Sequence, residues 1–131
     1  MATGSAMTNY LEDALLNEVF RNTGYTPAAT VYVGLYTVAP GEAGGGTEVS
    51  GGSYARQSVT FGAPSGGVVS NSGTVTFPTA SANWGTVVAF AISDASSAGN
   101  MLVYSNLSAS KTINNGDTAS FSAGTLSVQF D

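Results

Sequence analysis

From residue 30 onward the chain is a succession of short β-branched and aromatic runs, each closed by Gly, Asn or Pro. That pattern points to antiparallel β architecture. Thr30-Val-Tyr-Val-Gly-Leu-Tyr36 alternates in steps of two, with Val31, Val33 and Leu35 on one face and Tyr32 and Tyr36 on the other. Further strand-like runs follow at 53–61, 67–70, 73–77, 86–93, 100–105, 117–122 and 124–130. Between them stand the turn signals Pro64-Ser-Gly-Gly, Asn71-Ser-Gly, Pro78, Asn83-Trp-Gly, Ala98-Gly-Asn and Asn114-Asn-Gly-Asp. Asn115-Gly116 suits a type I′ hairpin, whose two central residues both need positive φ. No strand–helix alternation occurs, which argues against a parallel βαβ sheet and for a sandwich or barrel. The predicted fold class is mostly β: an antiparallel, jelly-roll-like β-sandwich with one N-terminal α-helix.

That helix is expected over residues 9–22. Asn9 is placed to cap it, and Glu12 and Asp13 sit in the first turn, where the helix dipole favours negative charge. Leu11, Leu15 and Val19, with Leu16 and Phe20 beside them, form an apolar stripe at helical spacing that is expected to pack on a sheet. Arg21 suits the last turn, Gly24 is the expected terminator, and Pro27 forbids continuation. Residues 1–8 are read as a flexible arm or a cloning remnant, and 9–131 as a single β-sandwich domain. The first six residues lack the basic and apolar regions of a signal peptide.

Composition then removes several function classes. Only three basic residues occur, Arg21, Arg56 and Lys111, and the net charge is −5. Three scattered cations build neither a phosphate-binding footprint nor an attraction to anionic lipid, so no nucleic acid and no membrane partner is expected. There is no Cys and no His, which removes the thiol nucleophile, the usual general base and the soft metal ligands. A Ser–Lys dyad would need Lys111 with Ser108 or Ser110, in a setting that reads as a strand edge. Asn114, Asn115 and Asp117 cluster, but a hairpin accounts for them better than calcium does. Gly44-Gly-Gly and Gly51-Gly52 lack the lysine and the strand-to-helix context of a phosphate loop. No enzyme, no metal and no cofactor is expected.

What remains are candidate contact residues. Glu42 and Glu48 lie in the Gly-rich loop 38–52, too pliant to hold a glycosidase acid pair. Tyr54 and Arg56 share one strand face. Trp84 sits in the turn Asn83-Trp84-Gly85, either as a plug closing one end of the sandwich or as an interface or sugar-stacking anchor. Tyr54, Arg56, Trp84, Glu42 and Glu48 are therefore the partner-binding candidates, together with the arm and the 38–52 loop.

Several strings together resemble a family of small virion proteins of tailed bacteriophages. They are Tyr10-Leu-Glu-Asp-Ala-Leu-Leu-Asn-Glu-Val-Phe20, Pro27-Ala-Ala-Thr-Val-Tyr-Val-Gly-Leu-Tyr-Thr37, Thr47-Glu-Val-Ser-Gly-Gly-Ser-Tyr-Ala-Arg56, Trp84-Gly-Thr-Val87 and Gly116-Asp117. The resemblance covers nearly all of 8–131 and spans tail-fibre proteins and the small β cement proteins that decorate capsids. It implies a virion protein assembled in the host cytoplasm, partnered by other virion proteins and by copies of itself. The first expectation is a capsid decoration protein clamping neighbouring capsid subunits. The alternative is a tail-fibre-associated module that binds a receptor or a host-surface glycan. The resemblance transfers no catalytic residues.

Overall fold

The computed structural model describes residues 6–130. It has the antiparallel, mostly β class with one N-terminal helix that the sequence predicts. The main sheet is built from β1 (Ala6–Met7), β2 (Val31–Val38), β3 (Thr47–Glu48), β4 (Gln57–Val59), β7 (Gly85–Ser93) and β8 (Met101–Ile113). Its order is β1-β8-β7-β2-β3, with β4 also paired to β2. Two short pairs, β5 (Val68–Ser70) with β10 (Ser127–Gln129) and β6 (Val75–Thr76) with β9 (Ser120–Phe121), stand outside it.

The predicted alternation along β2 decides which sheet face is the core. Val33 and Leu35 pair with Ile92 and Phe90 of β7, and all four are buried in one cluster with Val59, Val75, Phe77, Trp84, Leu126 and Val128. The short pairs therefore cover that face as a second layer, with Phe121 meeting Phe90 edge-on at 5.9 Å. Tyr36, Ala89 and Ala91 form a smaller cluster on the opposite face, beside Met101 and Tyr104.

Helix α1 spans Asn9–Phe20, shorter than the expected 9–22. Thr8, not Asn9, is its N-cap: the Thr8 hydroxyl accepts from the Leu11 N–H and donates to the Met101 carbonyl at 2.6 Å. A cap that is itself tied to a strand fixes both the start and the place of the helix, which local sequence does not reveal. Asn22, with φ at 51°, ends the helix ahead of Gly24, since Asn tolerates the left-handed conformation. Of the expected arm, residues 1–5 lie outside the described residues. Ala6 and Met7 pair with Tyr104 and Val103, so this stretch is sheet edge rather than free arm.

Two further expectations are corrected. Only Gly116 of the Asn115-Gly116 pair has positive φ, 94°, so the turn is not type I′. The chain leaves β8 there for the second layer, where β9 pairs with β6 rather than returning along β8. β8 also runs to Ile113, well past the expected 105, because β7 pairs with its polar second half through Lys111, Thr112 and Ile113. That half is mostly exposed, so it carries little of the apolar signal by which strands are read.

Candidate functional site

Four of the five partner-binding candidates meet in one cluster at the end of the core. Trp84 is only 6% exposed and closes the sandwich as a plug. Its indole N–H donates to the Gly52 carbonyl at 2.8 Å, and its ring meets Tyr54 edge-on at 5.4 Å. Tyr54 stacks on Phe77, accepts from the Leu35 N–H at 2.9 Å and donates to Glu48 Oε2 at 2.6 Å. Arg56 grips the same carboxylate twice, Nε to Oε2 and NH2 to Oε1, each at 2.9 Å. Its NH1 donates to the carbonyls of Ala95 and Ala98, at 2.9 and 3.0 Å.

The electrostatics follow from this geometry. Burial, and then donation to Glu48, raise the Tyr54 hydroxyl far above the ordinary tyrosine range, because its ionised form would sit dry beside a carboxylate. The Glu48 hydrogen bonds raise Arg56 further, which keeps the guanidinium ionised. Charge and polarity here are satisfied internally. Trp84 has almost no surface to offer a partner, and the cluster joins β3, the chain ahead of β4 and the loop 94–100.

Glu42 lies apart from this cluster, exposed on the rim of a cleft of about 540 Å³. The cleft lies between the start of α1, the loop 41–45 and the loop 94–100. The loop 38–52, expected to be pliant, is braced: Gly41 and Gly44 exchange two backbone hydrogen bonds, and Thr47–Glu48 pairs with β2. The Glu42 carbonyl accepts from the Asn9 N–H at 2.9 Å, which ties the loop to the helix start. Tyr36, Arg56 and Ser93 also line the cleft. Tyr36 is 4% exposed; burial and then Glu48 raise its pKa, while an Arg56 N–H facing its oxygen lowers it. Ser93 is 2% exposed, and its hydroxyl has no hydrogen-bond partner among the described residues. On the opposite wall Asn100 donates its N–H and its amide to Asp94, at 2.7 and 3.0 Å. Ala98 takes the left-handed conformation, φ 52°, which disfavours a residue with a Cβ; Arg56 holds its carbonyl there.

Sequence reasoning missed Tyr36, Ser93, Asn9, Tyr10 and Asn100. One signal was available for Tyr36. It alternates with core residues along β2, so it had to face the other side of the sheet, where Ala89 and Ala91 leave room.

The helix supplies a second surface. Leu11 is buried, but Leu16, Val19 and Phe20 are 55%, 68% and 77% exposed. The expected packing of the whole stripe on the sheet therefore fails beyond Leu15, because the helix packs chiefly on β8 and β1, and its second half keeps its apolar side chains uncovered. Met7, Leu15, Leu16, Val19 and Phe20 line a shallow apolar groove, with Glu12 at its side. Among the described residues no helix is long and apolar enough to cross a membrane.

A two-layer antiparallel sandwich with a plugged core, a polar cleft and an uncovered apolar helix end defines a small β structural or binding module. Residues 6–129 match the family described as podophage GP4 fiber I protein gp80, and the chain belongs to that family. It is thus a virion structural protein of the tailed-phage type, with a tail-fibre description. No curated protein matches the chain.

Proposed function

We propose that the chain is a tail-fibre-associated binding module, not an enzyme. It fastens to neighbouring virion proteins by the apolar end of α1 and leaves its cleft free to meet the host surface. The observation that carries this reading is the exposure of Leu16, Val19 and Phe20 at the far end of a helix whose start is anchored through Thr8 and Leu11. A Phe ring alone presents about 150–250 Å², so at 77% exposure Phe20 dominates a patch of the kind that marks an interaction site. Tyr10 and Val19 are nine residues apart, half a turn around the helix at about 100° per residue. Docking through Val19 therefore leaves the Tyr10 side accessible. The fibre description of the family favours the tail over capsid decoration, which would draw on the same patch.

The test is particle assembly with the double variant Val19→Ser, Phe20→Ser. The isolated variant should melt as the wild type does, yet be missing from purified particles, and cryo-electron microscopy should find the wild-type chain at the tail. Normal incorporation of the variant would overturn the docking surface. Copies at two-fold or three-fold positions of the capsid would restore the decoration role. Sedimentation of the isolated chain separates a patch that pairs with a second copy from one that waits for a different virion protein.

A further inference from the structure

We propose that the cleft between the start of α1 and the loops 41–45 and 94–100 is a binding site for a neutral, hydroxyl-rich ligand: one sugar ring, or two, of a host-surface glycan. It deepens the reading above and rests on the cleft staying open when the helix end is docked.

The floor is built rather than incidental. Two nearly buried residues that line the cleft, Tyr36 and Ser93, carry hydroxyls. The Ser93 hydroxyl finds no partner within the described protein. Among the described residues no buried side-chain polar atom is left without a partner, so this hydroxyl opens to the water of the cleft, and a ligand that displaces that water must replace its hydrogen bond. A ligand that both donates and accepts fits that need, because each hydroxyl can do both.

The walls add the other elements of sugar recognition. The Asn100 amide group is held by Asp94, which leaves its carbonyl oxygen as an oriented acceptor. Asn9 and Tyr10, the first two residues of α1, stand exposed at the rim, and the Tyr10 ring is 41% exposed. An aromatic ring there can cover the apolar C–H face of a pyranose while its own hydroxyl stays wet. Gly44 and Gly45 carry no side chains, so the ligand can approach the backbone of that loop closely. A volume of about 540 Å³ lies in the range of small-molecule sites.

Charge selects the class. The Arg56 guanidinium is already neutralised by Glu48, so it offers no net positive charge to an anion. Glu42 adds at the rim a carboxylate that has no ion-pair partner among the described residues. Tyr104, raised first by burial and then by Glu42 and Glu12, reports that the negative field extends along this side. Phosphates, sulfates and acidic sugars are therefore disfavoured and neutral sugars admitted.

The experiment is a ¹⁵N–¹H titration of the full chain with methyl α-D-glucopyranoside, methyl α-D-galactopyranoside and N-acetyl-D-glucosamine, and with glucuronic acid as the charged counterpart. At least one neutral sugar should shift the amides of Ser93, Gly44 and Asn100 with a dissociation constant on the order of 1 mM, typical of a small ligand with few anchoring atoms. Glucuronic acid should bind at least about tenfold more weakly. Tyr10→Ala and Ser93→Ala should each weaken the neutral sugar about tenfold while melting near the wild type; Tyr10 is exposed, so its loss leaves the core intact. No shift with any neutral sugar, shifts confined to other surfaces, or equal binding of glucuronic acid would overturn the proposal. These readouts use the isolated chain, so they fail separately from the assembly test of the helix end.

Discussion

Gly34 lies beneath the Glu48 carboxylate: a Cβ there would stand 2.7 Å from Oε2 and 3.1 Å from the Tyr54 hydroxyl. Oε2 is half of the bidentate pair with Arg56 and the Tyr54 hydroxyl donates to it, so Gly34→Ala must push this network apart. We expect a loss of about 2 kcal/mol in urea denaturation, with the fold retained. Arg56→Ala should cost a similar amount, about 2 kcal/mol. It strands a carboxylate and two carbonyls, but the Glu48 side chain is 24% exposed, so water offsets part of the penalty. Tyrosine chemistry sets the alkaline limit. Tyr54 and Tyr36 are both raised above their ordinary value near 10. Their contribution is complete below pH 10 and is lost as pH rises beyond it, because the unfolded chain releases those protons first. Each tyrosine held protonated steepens the fall by about 1.4 kcal/mol per pH unit. Denaturation series between pH 8 and pH 11, about the span of tyrosine ionisation, should therefore bend downward near 10, and Tyr54→Phe should flatten the bend. The residue types of this cluster were legible, since Tyr54, Arg56, Glu48 and Trp84 all stood out. Their mutual contact was not, because Glu48 and Arg56 meet across a turn whose path no local propensity encodes.

Among the elements, α1 shows where sequence periodicity stops being informative. Its stripe from Leu11 to Phe20 has the spacing of a packed helix, and only the first turn and a half uses it that way. Periodicity reports which face is apolar; it does not report how far the supporting sheet extends. Thr8 carries the anchorage, as cap and as donor to Met101. Thr8→Ala should cost about 1–2 kcal/mol of stability in thermal or chemical melts. Val19→Ser and Phe20→Ser should each stay within about 0.5 kcal/mol of wild type, since neither buries much surface. A large loss from the second pair would mean that the helix end is part of the core after all. β8 teaches the converse lesson: Asn106 to Thr112 are mostly small and polar, yet they run as strand because β7 pairs with Asn106 on one side of a bulge and with Lys111 and Thr112 on the other.

At the level of the molecule, the core draws Leu11, Val33, Phe90 and Val128 into one cluster from the whole length of the chain. Contacts so distant in sequence are closed late and slowly. Trp84, the single tryptophan, is buried against Tyr54 and reports the event. Its fluorescence after stopped-flow dilution from urea should recover in milliseconds to seconds; a microsecond phase carrying the full amplitude would contradict a core built from non-local pairs. The class of the fold was readable from alternation and turns, and the division into a broad sheet and a short-stranded cover was not. The cover consists of two- and three-residue strands, whose pairing partners are chosen by packing against Phe77 and Phe90. The cleft escaped for the same reason, since its residues come from six separate stretches of chain.

The loop from Asp94 to Asn100 is rich in small residues and mostly exposed, the kind of segment in which proteolytic nicking concentrates. Arg56 holds two of its carbonyls, at Ala95 and Ala98, so cleavage has to wait for that guanidinium to let go. Lifetime is then governed by a local opening rather than by unfolding of the sandwich. Lysine keeps the charge but cannot grip a carboxylate and two carbonyls at once. Arg56→Lys should leave a protein that still melts cooperatively but is cut between Ala95 and Gly99 far sooner by a broad-specificity protease.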